Sequence, residues 1–178
     1  MVVYHGSSHN FNTLRLVKKN TSESTMLNEG LGIYFSSDIE VASSYGRYLY
    51  RLELNDSVVW DFRDLRHCYV FVNQFGQQFR KRWNIRIWQF VDANTLSEYL
   101  HDANIAIVGV AEEVRQLLLS SERFYQLYGH LVDPISTWLI NWKGWPKAYF
   151  FPYNIKDCGV IKDVSPNIVR ITGKEKLV

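Results

Sequence analysis

Tyr34 and Tyr45 stand eleven residues apart in the stretch GIYFSSDIEVASSYG. Two tyrosine faces on opposite sides of a flat cationic ring supply stacking and cation–π attraction of about 0.5–2 kcal/mol each. Nearer the start of the chain, VVYHGS brings His5, Gly6 and Ser7 together. A backbone free of a side chain, as at Gly6, offers an amide both a donor and an acceptor at close range. His5 exchanges a hydrogen bond with a hydroxyl without adding a fixed charge at neutral pH, and Ser7 lies beside it to assist. Ser36 and Ser43 are further hydroxyls within reach of such an amide. Singly, a histidine at a strand end and tyrosines at a sheet edge are ordinary packing residues. Their order within the first forty-five residues is what points to a ligand site.

The elements that must hold these residues are short and local. VVYHG and GIYFSS read as β-strands ended by Gly6 and by serines. SDIEVASSYG reads as a short helix with Ser37 or Asp38 as its N-cap and Gly46 as its stop. YLYRLELNDSVVWDF alternates in character and turns at Asn55-Asp56, which predicts a half-buried hairpin. From about Leu65 to Trp145 the pattern is helical. Thr95 is the expected cap of one helix, Val110 to Gly129 reads as one continuous helix, and Asp133 with Pro134 opens another. The last zone, from KAYFFPY onward, returns to strand character in three runs. Strands at both ends with helices between them predict a single α+β domain.

Composition bounds the classes. At 178 residues the chain is long enough to bury its own core. Its 20 basic and 18 acidic residues leave a net charge of +2, without the global electrostatic footprint of a nucleic-acid binder. The aromatic share is high at 15%, with 6 Trp, 11 Tyr and 10 Phe, so some rings are available to a ligand. Cys68 and Cys158 form neither a disulfide framework nor a metal-ligand spacing, and His67 beside Cys68 is not a catalytic pair. Reduced, cytoplasmic life is the expectation, with neither a secretory leader nor a membrane span in the sequence. No phosphate-binding glycine loop or Ser-His-Asp order stands out.

VYHGSS followed by GLGIYFSSDIEVASSYG resembles the nicotinamide-binding half of the ADP-ribosyltransferase superfamily, in its diphtheria-toxin and poly(ADP-ribose)-polymerase-like branch with a His-Tyr-Glu signature. The resemblance covers the first fifty or so residues well and YNIKDCGVIKDVSPNIVRI weakly. It does not extend to the helical middle. It implies a core of two packed antiparallel sheets, with strands at about residues 1–64 and 146–172 and a helical insertion at about 65–145. It further implies NAD as substrate, with His5 on the ribose, Gly6 orienting the carboxamide, and Tyr34 and Tyr45 clamping the nicotinamide ring. The family's usual serine falls at Ala42. Its third residue, a glutamate opening the last core strand, stabilises an oxocarbenium-like transition state by charge. Pro166 stands in that register, so Asn167 is the first candidate for the polar role, ahead of Asp157 and Asp163. Loss of the glutamate implies mono-ADP-ribosyl transfer to a macromolecule, a protein rather than a nucleic acid, in a toxin-like or effector-like protein. An NAD glycohydrolase and a non-catalytic module for NAD or ADP-ribose are the alternatives.

FRKRWNIRIW places Arg80, Lys81, Arg82 and Arg86 among Trp83 and Trp88. A solvated helix face with tryptophans anchored in the core is the first reading, and a nucleic-acid-binding strip is the second. Trp138, Trp142 and Trp145 read as core packing before partner surface.

Overall fold

The computed structural model describes residues 1–16, 32–102, 107–153 and 156–178. Gly30 and Leu31 of the glycine-rich motif, and Asn154 and Ile155 of the closing one, lie outside them. The chain divides into two compact units, one formed by Met1–Arg63 with Pro146–Val178 and the other by Asp64–Trp145.

The first unit is α+β. Its strands are β1 (Val2–Ser7), β2 (Ile33–Ser36), β3 (Tyr48–Leu54), β4 (Val59–Asp61), β5 (Ala148–Tyr153), β6 (Lys156–Ile161) and β7 (Val169–Lys176), with helix α1 (Ile39–Ser43) after β2. In place of the two sheets implied by the resemblance, they form one mixed sheet in the order β4-β5-β6-β2-β1-β3-β7. Its halves are joined narrowly. β1 pairs with β3 at every position from Val2↔Glu53 to Ser7↔Tyr48, and β2 pairs with β6 from Ile33↔Ile161 to Ser36↔Cys158. Between β1 and β2 the register holds at one pair, Tyr4↔Ser36. Alternation along the strands sends Val3, Phe35, Tyr50, Leu52 and Phe150 to one face, where they form the buried apolar cluster.

The expected hairpin at Asn55-Asp56 is not formed. The Asn55 side chain accepts from the Ser57 amide and starts a 3-10 turn over Asp56–Val58, and the chain leaves β3 for the far edge of the sheet. There β4 pairs parallel with β5, from Val59↔Ala148 to Asp61↔Phe150, while β3 pairs with β1 and β7. A local turn signal was present, but the partner of β4 comes from the other end of the sequence.

The second unit is helical: α2 (Leu65–Trp83), α3 (Ala93–His101), α4 (Ile107–Ser120), α5 (Glu122–Tyr128) and α6 (Val132–Ile140). Asp64 caps α2, and Asn84 ends it in the left-handed conformation at φ 55°. Three expectations are corrected. Asp92, not Thr95, caps α3, and its carboxylate also accepts from the Thr95 hydroxyl. The single helix expected from Val110 to Gly129 is broken at Ser121, whose hydroxyl accepts from the Phe124 amide and caps α5. α6 starts without a side-chain cap, one residue before Asp133. Among the described residues no helix is long and apolar enough to cross a membrane.

One side of α2 is lined by rings. Phe75 and Phe79 lie 6.3 and 6.0 Å from Trp138, and Phe71 stacks on Trp145 at 5.4 Å. Gly76 sits among them in mid-helix, where glycine costs about 1 kcal/mol relative to alanine. The reason is Trp88: a Cβ on Gly76 would lie 2.2 Å from its indole nitrogen. Gly76→Ala is therefore expected to destabilise the unit by about 1–3 kcal/mol through overpacking, despite the gain in helix propensity. Thermal unfolding followed by circular dichroism measures this, and a raised melting temperature would show that the indole does not bear on Gly76.

Candidate functional site

β1 and β2 part company just where the candidate residues lie. Counting on from Tyr4↔Ser36, Gly6 is level with Tyr34, yet the two strands do not pair there. A strand carbonyl deprived of its ladder must find another donor. The Tyr34 carbonyl finds His5, whose Nδ1 lies 2.6 Å away. Because a carbonyl oxygen only accepts, Nδ1 carries the hydrogen, and in the neutral ring Nε2 is then an acceptor. The imidazole thus spans the fork between the two strands. Its ring packs at 6.1 Å from both Phe11 and Tyr50.

That surround is itself pinned. Phe11 stacks on Tyr50 with ring centroids 3.9 Å apart. The buried Tyr50 hydroxyl accepts from the Phe11 amide at 2.8 Å and donates to the His9 carbonyl at 3.0 Å. Lys174, level with Tyr50 on β7, donates to Asn10 and Asn12 at 2.9 and 2.7 Å. Ser7 is buried and its hydroxyl accepts from the His9 amide at 3.1 Å, so it shapes the turn after β1.

Gly6 faces the other side of the sheet from His5, as alternation requires. There α1 comes down on it. A Cβ at Gly6 would lie 1.9 Å from the Ala42 carbonyl oxygen and 3.1 Å from Tyr45 Cβ, so only glycine admits this approach. Gly46 makes the matching contact, since a Cβ there would meet the Ser7 carbonyl carbon at 2.1 Å. The helix start is set by Asp38, whose carboxylate accepts from the Glu40 and Val41 amides. Asp38 is thus the cap among the two residues proposed for it. The outcome is that Gly6, Ala42 and Tyr45 meet, with Tyr45 62% exposed. Tyr34, half-buried on Gly6's face, makes an edge contact with Phe151 at 6.1 Å.

The remaining candidates are placed otherwise. The Ser36 hydroxyl is buried, donates to the Asp157 carbonyl at 2.8 Å and accepts from the Asp38 amide, so its proton is committed to joining β2, β6 and α1. Asp157 accepts from Ser37 and pairs with Arg63, which also pairs with Asp61 and lies over the Phe150 ring at 4.1 Å. The Asp61 hydrogen bond, outweighing the cost of partial burial, holds the Arg63 guanidinium above its ordinary pKa. Asp163 accepts from the Ser165 amide and hydroxyl, which hold its carboxyl below the usual range. The Ala42 carbonyl lies against Gly6.

Asn167 is not brought to the fork. Its carbonyl accepts from the Asn55 side chain, and it lines an open depression with Glu53, Pro166 and Arg170 at the Asn55 end of β3. The residue of β7 level with His5 is Lys174, through Tyr50. Asn167 lies in the turn before β7, whose stretch from Val169 to Lys174 alone spans roughly 17 Å.

No protein-family model matches the chain, and no curated protein matches it. Among solved structures it is similar to the crystal structure of an anti-CRISPR protein, at 12% sequence identity and a TM-score of 0.43, over 96% of this chain and 94% of that one. A likeness of that strength carries no argument about this chain.

Proposed function

We propose that the fork between β1 and β2 binds NAD and that the protein transfers a single ADP-ribose to a macromolecular acceptor. The observation that carries this reading is that Gly6, with Tyr45 Cβ beside it, and Tyr34 lie on one face of the fork while His5 bridges it and donates to the Tyr34 carbonyl. Tyr34 and Tyr45 supply faces for the cationic nicotinamide ring. Gly6 presents its backbone to the carboxamide, and His5 meets a ribose hydroxyl through Nε2.

In the transfer, the bond between ribose C1′ and the nicotinamide nitrogen breaks, and its electron pair neutralises the pyridinium. The acceptor's nucleophile then forms a bond to C1′ and releases its proton. The tyrosine faces favour the cationic ring before cleavage, so they promote binding more than the bond-breaking step. A catalytic carboxylate adds a term that appears only as charge develops on the ribose.

The position of Asn167 favours a second reading, in which the fork captures NAD or ADP-ribose without cleaving it. Incubation of the full chain with NAD labelled in the adenylate, together with a cell extract, separates the two. Label on a protein band with release of nicotinamide supports transfer. Release without labelled macromolecule supports glycohydrolase action, and calorimetric binding with no release supports capture.

Tyr34→Ala is expected to weaken NAD binding by about 2- to 30-fold, the equivalent of the ~0.5–2 kcal/mol of one cation–π face, with an unchanged circular dichroism spectrum. Unchanged affinity by calorimetry removes Tyr34 from the site. Gly6→Ala is expected to abolish binding by displacing the Ala42 carbonyl, and retention of full affinity would refute the close approach of α1. Asn167→Ala is expected to leave NAD affinity and nicotinamide release as they are. A fall in either would show that the depression beside Asn55 belongs to the NAD site.

A further inference from the structure

Arg80, Lys81 and Arg82 in the last turn of α2 and Arg86 just beyond it are all exposed. None has a carboxylate partner among the described residues, and Leu65 to Val91 contain no Asp or Glu. Of the other arginines of the helical unit, Arg66 pairs with Asp64 at 2.7 Å, Arg115 lies 3.6 Å from Glu112 and 3.5 Å from Asp133, and Arg123 lies over the Phe90 ring at 5.5 Å.

A helix C-terminus favours cations in its last turn, which accounts for one or two of these charges. It does not account for Arg86, which lies past the left-handed reversal at Asn84. Four like charges within seven residues repel one another, and among the described residues no carboxylate pairs with any of the four. Such a cluster is stabilised by a polyanion. Three of the four are arginines, whose planar fork matches phosphate oxygens two at a time. The Arg82 guanidinium lies 5.2 Å over the half-buried Trp83 ring, so a cation and an aromatic ring stand side by side at the same end of the helix.

We propose that the α2 C-terminus, through Arg80, Lys81, Arg82 and Arg86, binds the phosphate backbone of a single-stranded nucleic acid. Phosphates spaced along a strand meet successive guanidinium groups, and stacking by bases tolerates any sequence. The inference is independent of the NAD reading, since it uses the helical unit alone.

Fluorescence anisotropy with a labelled 20-nucleotide single-stranded DNA of mixed sequence, titrated with the full chain, tests this. About four phosphate contacts give a slope of log K against log salt near −3. R80Q/K81Q/R82Q/R86Q, whose changes are all at exposed positions, is expected to lose affinity at least about tenfold at low salt and to flatten that slope, with an unchanged circular dichroism spectrum. Absence of binding by the unaltered protein at about 20 mM salt overturns the proposal, as does a quadruple variant that binds as well as the parent. Competition by polyglutamate as effective, charge for charge, as competition by unlabelled strand also overturns it, in favour of an acidic protein partner.

Discussion

The geometry of the first unit depends on one hydrogen bond, from His5 Nδ1 to the Tyr34 carbonyl. A carbonyl left unpaired away from water costs about 1–3 kcal/mol, so strands in a sheet do not separate unless something replaces the ladder. Here a side chain does so. The imidazole lets β1 and β2 diverge after a single pairing while both keep full ladders on their outer sides. The divergence opens a fork inside a sheet rather than at its rim. A different residue at His5 would leave the carbonyl unmet, and the strands would either zip further or admit water.

The second constraint is the approach of α1. Five residues make barely more than one turn, far short of the dozen or so that an isolated helix needs in water. Its position is therefore imposed from outside, by the Asp38 cap at one end and by Gly6 and Gly46 against β1 at the other. Tyr45 follows the helix, with its Cβ beside Gly6. Under the proposed reading, the glycine that offers a bare backbone to a ligand is also the one that admits the helix, and the two roles use different atoms.

What was legible in the sequence was local. β1, β2 and α1 were readable because each is announced within a few residues by β-branched runs, by Asp38 as a cap and by glycine stops. The spacing of Tyr34 and Tyr45 was readable for the same reason. The hairpin was misread because Asn55-Asp56 carries a turn signal whichever strand comes next, and the partner of β4 lies nearly ninety residues downstream. Asn167 was assigned by analogy along the sequence, whereas its level in the sheet is fixed by two strand registers, with a bulge between Arg51 and Leu52 shifting one of them. Ser36 illustrates a further limit: its type suits a ligand donor, but a fold that needs β2, β6 and α1 joined at one point commits its proton first.

Alternation has a consequence for any ligand of the fork. Gly6 and Tyr34 present themselves on one face of the sheet, and His5 on the other, among Phe11 and Tyr50. Because the imidazole itself bridges the fork, a ligand on the α1 face meets Gly6 and Tyr34 there and reaches His5 only where the two strands part. Under the proposed reading the nicotinamide ring takes the α1 side. The groups offered at the fork are a backbone, two phenols and an imidazole. Such a set favours the cationic ring through polarisability and quadrupole rather than through a fixed charge. A carboxylate that acted on the ribose would have to enter on the His5 side, where Lys174 already holds the Asn10 and Asn12 loop. Under the proposed reading, a group that speeds cleavage acts beside a cation committed to structure, which weakens the field that a single acid exerts on the developing charge.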